Sequence, residues 1–75
     1  MGQTFNVAAI WDNEAKVFVS QSDIPGLVIE AGTFDEFVLL VDQLAPTMVA
    51  DNVPAARGDF TVHVSAQRDM QLTAA

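Results

Sequence analysis

Four of the ten carboxylates and the one histidine are the candidates in this chain for chemistry. Clustered Asp and Glu can hold two divalent ions about 4 Å apart and assist hydrolysis of a phosphodiester. The candidates are Asp12, Glu14, Asp23 and Glu30. Asp12, Glu14 and Asp23 fall in segments that read as turns, where acids are expected without any chemistry. Only Glu30 falls inside a strand pattern. Turns at opposite ends of a strand meander do not converge, so no metal ligand is assigned. His63 is the only histidine. A general base needs an orienting partner and a group to deprotonate. Thr61 and Ser65 supply hydroxyls on the same strand face, but no spacing ties His63 to a particular acid. It reads as a solvent-facing residue. The chain also has no Gly-rich phosphate loop, no paired histidines and no nucleophile elbow. No catalytic, cofactor-binding or metal residue is therefore expected.

The elements that position these residues begin with alternation. Phe5, Val7, Ala9 and Trp11 share one face of a first strand over 4–11, and Thr4, Asn6, Ala8 and Ile10 share the other. Asp12–Ala15 reads as a tight turn, and Lys16–Ser20 as a returning second strand. The register there is open by one residue, and a slip would exchange the faces of Val17, Phe18 and Val19. The expectation is that one of Trp11 and Phe18 packs under the helix while the other, according to register, lies on the uncovered sheet face as a partner contact. Ile24-Pro25-Gly26-Leu27 has the chemistry of a type II turn, with glycine at the positive-φ position. Leu27–Ala31 reads as a third strand. Thr33-Phe34-Asp35-Glu36 matches a capping box, and its acids suit the positive end of a helix dipole.

From Phe34 the period becomes helical, with Phe37, Val38, Val41, Leu44, Ala45 and Met48 on one stripe. Pro46 is expected to kink this helix or end it near Leu44. Residues 52–58 read as a connection, Asp59–Ala66 as a fourth strand, and 67–75 as a frayed tail. The fold class is α+β, in the order β-β-β-α-β. One helix packs on one face of a four-stranded sheet.

Seventy-five residues make one domain, spanning 1–75 with its core in 4–66. A core this small supplies only about 3–5 kcal/mol, and with no cysteine there is no disulfide to add to it. Oligomerisation is the remaining common support. Apolar residues make up 51% of the chain, enough to leave surface for a partner. A homo-oligomer, a dimer first, is expected. Ile10, Trp11, Phe18, Val28, Leu39 and Leu40 are its candidate contacts, or those of another partner. Ten acids against three bases give a net charge of −7. That balance disfavours direct nucleic-acid binding and speeds encounter with basic partners. No apolar run reaches the ~18 residues of a membrane span, and no secretory leader is visible. No membrane association is expected, and a cytoplasmic location is.

Three motifs carry a family resemblance. Trp11-Asp12 closes the first strand. Asp23-Ile24-Pro25-Gly26-Leu27 and Ala31-Gly32-Thr33-Phe34-Asp35-Glu36 follow. In this order they resemble the HicB-like antitoxins over residues 4–66. The likeness is to a short branch of that superfamily described only as a domain of unknown function. The resemblance implies a truncated ribonuclease H-like fold, a mixed sheet in the order 3-2-1-4. It also implies a non-catalytic interaction protein that neutralises a small basic HicA-like toxin cutting messenger RNA, or a solitary relative without a toxin. Typical members carry a DNA-binding segment after the fourth strand. Only nine residues follow Ala66 here, so operator binding is not expected. The alternative reading is a reduced metal-dependent nuclease of the ribonuclease H-like class.

Overall fold

Alternation in the first ten-residue strand sets the plane of the molecule. In the computed structural model, which describes residues 3–53 and 58–74, β1 runs Gln3–Asp12. Phe5, Val7 and Ala9 are buried beneath the helix, and the residues between them face outward. Asp12 then closes a tight turn. Its Oδ1 accepts from the Glu14 and Ala15 N–H groups at 3.0 and 3.2 Å, and its carbonyl accepts from Lys16 N–H at 2.8 Å. The turn puts Lys16 at φ 60, a left-handed conformation rare outside glycine.

The returning strand β2 is Val17–Ser22 and pairs antiparallel with β1. The register sets Trp11 opposite Phe18, so the two rings share the helix-facing side. They touch edge to face at 5.0 Å. This corrects the expectation that one of them lies on the far face. The far face instead carries Ile10 opposite Val19 and Asp12 opposite Val17.

The type II turn forms as its residues require. Gly26 sits at φ +80, and Leu27 N–H donates to the Ile24 carbonyl at 3.2 Å. Beyond it, β3 is only Glu30–Ala31, antiparallel to β2. The expected third strand over 27–31 is extended but mostly outside the ladder. Ser20 explains the difference. Its hydroxyl accepts from Ile29 N–H at 2.9 Å, while its own N–H donates to the Ile29 carbonyl at 3.0 Å. A side chain has taken a place that a regular ladder would give to backbone. Ile24, Leu27, Ile29 and Ala31 are all buried, so the alternation survives without the ladder.

Helix α1 spans Phe34–Asn52. Thr33 caps it from an extended conformation, and its Oγ1 accepts from Glu36 N–H at 3.1 Å. The reciprocal Glu36-to-Thr33 contact of a full capping box does not form among the described residues. The helix runs through Pro46, so of the two expected outcomes, a kink or a stop near Leu44, the stop does not occur. Phe37, Val41, Ala45 and Val49 form one buried stripe that straddles the proline. Burying one such large apolar side chain stabilises by about 1.5–3 kcal/mol, and the stripe together outweighs the ~3 kcal/mol proline penalty. Asp42 and Pro46 are both exposed, so the carbonyl that lacks a Pro46 N–H can turn to water. Val53 N–H closes the end by donating to Val49 O at 2.9 Å.

The fourth strand, β4, is Phe60–Gln67 and pairs parallel with β1. The connection expected over 52–58 lies partly in 54–57, outside the described residues. The sheet order is β3-β2-β1-β4. Given these pairings β3 and β4 run the same way, and α1 joins them across one face. The sheet is mixed, and the fold is α+β with one helix on a four-stranded sheet.

Candidate interaction surface

The chemistry-bearing residues are spread over both ends of the sheet. Asp12 and Glu14 belong to the β1–β2 turn, whereas Asp23 leaves the far end of β2. Asp23 is committed to the backbone there. Its Oδ1 accepts from Asn6 N–H at 2.8 Å, and its own N–H donates to the Asn6 carbonyl at 3.2 Å. Glu30 stands exposed on β3, opposite Val19. No group of three or more His, Asp or Glu residues is close enough to hold a metal ion among the described residues. His63 pairs across from Asn6, and Ser65 from Ala8, which puts both on the uncovered sheet face. With Asn6, Gln21, Asp23 and Gln67 they line a shallow polar bowl of about 420 Å³.

All ten carboxylates are exposed. Lys16 and Arg68 are exposed as well, and Arg68 has a defined partner. Its guanidinium lies 5.1 Å over the Trp11 ring. A chain of aromatic contacts runs inward from there, through Phe18 to Phe34 at 6.2 Å and on to Phe37 at 6.5 Å. The Trp11 Nε1–H is buried and donates to no group among the described residues.

The six candidate contact residues fall on different surfaces. Trp11 and Phe18 lie on the helix-facing side at the turn end. Phe18 and Leu40 pack partly against the core. Ile10 is half-buried on the uncovered face. Val28 and Leu39 stand 79% and 54% exposed. On a helix, neighbours lie three and four positions apart. Leu39 is thus ringed by Asp35, Glu36 and Asp42, all exposed.

A second apolar surface escapes a reading of periodicity. Phe60, Val62 and Val64 point to the helix side of β4, yet all three are only half-buried. A cleft of about 370 Å³ separates them from Val38, Val41, Asp42, Ala45 and Pro46 of α1. The helix lies toward β3, where Met48 and Asn52 approach the Gly26 turn, and leaves the β4 flank open. Alternation signals a buried strand face in either case. Only the lateral position of the helix distinguishes the two outcomes.

The arrangement defines a class first: a small α+β domain with apolar and acidic surfaces and no converging acid cluster among the described residues. The chain belongs to the family described as Domain of unknown function (DUF1902), whose model matches residues 4–74. No curated protein matches it. Among solved structures it is similar to the crystal structure of hypothetical protein TTHA1013 from the extremely thermophilic bacterium Thermus thermophilus. The two share 32% identity with a TM-score of 0.79, over 93% of this chain and 100% of that one. No helix among the described residues is long and apolar enough to cross a membrane.

Proposed function

We propose that the protein is a non-catalytic interaction module of the HicB-like antitoxin type. Its target is a small basic HicA-like toxin that cuts messenger RNA. The observation that carries this reading is the solvent face of α1. Leu39 is 54% exposed there, with the Asp35, Glu36 and Asp42 carboxylates around it. An apolar anchor inside an acidic rim is what a basic partner with an apolar dimple would dock on. The net charge of −7 adds long-range attraction for such a partner and repels a competing RNA. The motifs from Trp11 to Glu36 support the same reading.

Titration calorimetry against a small basic HicA-like toxin tests it. Binding should weaken steeply with added salt. Leu39→Asp should weaken it by at least ~10-fold, the loss of about 1.4 kcal/mol expected for a central anchor. Absence of any such binding would overturn the antitoxin reading and leave a solitary relative. Magnesium-dependent cleavage of RNA by the isolated chain would overturn the non-catalytic reading itself.

A further inference from the structure

The two edges of this sheet are unlike. Edge strands invite pairing with another chain, and proteins blunt them with short strands, charges or proline. The β3 edge is blunted. It is two residues long, carries Glu30, and follows a turn that contains Pro25. The β4 edge is not. Its eight residues, Phe-Thr-Val-His-Val-Ser-Ala-Gln, contain no Lys, Arg, Asp, Glu or Pro. Among the described residues it pairs with β1 on one side only. The same strand carries Phe60, Val62 and Val64, half-buried beside the open cleft under α1.

We propose that a second copy of this chain pairs antiparallel with β4, about a two-fold axis through Val62, to make a continuous eight-stranded sheet. The occupant follows from charge. Each chain is acidic, so two copies repel wherever their carboxylates meet. β4 is the stretch of the sheet where two copies meet along a neutral line. The strand itself offers a basic partner no carboxylate; the bordering acids are Asp59 before it and Asp42 in the cleft lining. The register follows from symmetry. A two-fold perpendicular to the sheet keeps each copy's helix side on the same face. With the axis at Val62, Phe60 faces Val64 of the second copy, and Val62 faces its own equivalent. Centring on Thr61 would set Val64 against Gly58, and centring on His63 would set Phe60 against Ala66. Only the Val62 register matches all three large apolar residues with one another. Such cross-strand apolar pairs are the unit of sheet stabilisation.

Past the end of the strand, Met70 and Leu72 stand 67% and 80% exposed, and with Asn13 and Glu14 they line a cleft at the same end of the sheet. A standard interface removes about 800 Å² from each partner. That is about one seventh of the 5489 Å² this chain exposes, a share within reach of a strand edge, a groove rim and a tail. Leu39, Asp35 and Glu36 lie outside the cleft lining and only Asp42 of that rim belongs to both surfaces, so the two proposals are tested separately.

The chain has no cysteine, which makes a cross-link clean to read. Directly opposed residues in an antiparallel pair have Cα atoms about 4.5 or 5.5 Å apart, inside the range a disulfide spans. Val62→Cys, oxidised under native conditions, is expected to give a covalent species of twice the 8.1 kDa chain mass. Leu39→Cys is expected to stay a single chain. The wild-type protein supplies a second readout. Its sedimentation should report twice the chain mass at micromolar concentration and fall toward one on dilution. The outward-pointing β4 amides should exchange more slowly as concentration rises. Concentration-independent exchange along β4, or cross-linking through Leu39→Cys in preference to Val62→Cys, would overturn the proposal.

Discussion

Of the three described residues with left-handed backbone, Lys16, Gly26 and Gly58, the first two hold it on different terms. Gly26 takes φ +80 without steric cost because it has no Cβ. Lys16 takes φ 60 at a cost, which its hydrogen bonds to Asp12 and Asn13 help to offset. Crowding is not what requires glycine at position 26. A Cβ there would meet Asn52 Nδ2 and Met48 Sδ at an ordinary 3.5 Å. The backbone angle alone sets the requirement. Gly26→Val should therefore destabilise the fold by about 1–2 kcal/mol, read from urea unfolding. Wild-type stability in that variant would mean that the turn can rearrange without loss. The glycine was legible in the sequence because Pro-Gly chemistry is local. Lys16 was not, since nothing in its type announces a positive φ. Its conformation is set by the Asp12 side chain gathering the turn amides.

At the scale of elements, the helix start and its stripe can be separated by experiment. Thr33→Ala removes one cap acceptor and should cost about 1 kcal/mol. Phe37 is 0% exposed between helix and sheet, so Phe37→Ala should cost roughly 3–5 kcal/mol. Thermal unfolding of both variants gives the comparison, and equal small losses would contradict the packing described. Both features were readable in the sequence because capping and helical periodicity are local signals. The misreadings arose where a tertiary effect won. Pro46 does not stop α1, since a buried stripe on either side of it holds the helix together. The third strand shrinks to Glu30–Ala31, because the Ser20 hydroxyl competes for the Ile29 amide. Trp11 and Phe18 share a face, because the turn length fixes a register that residue types alone left open. The half-open face of β4 was beyond reach for the same reason: it depends on how far α1 sits toward β3.

At the scale of the whole molecule, the chain has one blunted edge, one open edge and an acidic surface. Under the two proposals, those three properties divide its contacts between a copy of itself and a basic partner. The tail beyond β4 meets this arrangement where Arg68 lies over Trp11, and Arg68–Leu72 line a cleft with Asn13 and Glu14 of the β1–β2 turn. The chain contains one tryptophan and no tyrosine, so its near-ultraviolet emission arises from that one ring. The ring's surroundings are Phe18 on one side and a guanidinium on another. Intrinsic fluorescence is therefore a gauge of whether the tail is docked, with no label attached. Arg68→Ala should move the emission to the red and raise its quenching by acrylamide, because water replaces the cation over the ring. An unchanged spectrum would mean that Arg68 does not shield Trp11 in solution. Any event that draws the tail away, including its engagement by a second chain, should then appear as a colour change in the light this protein emits.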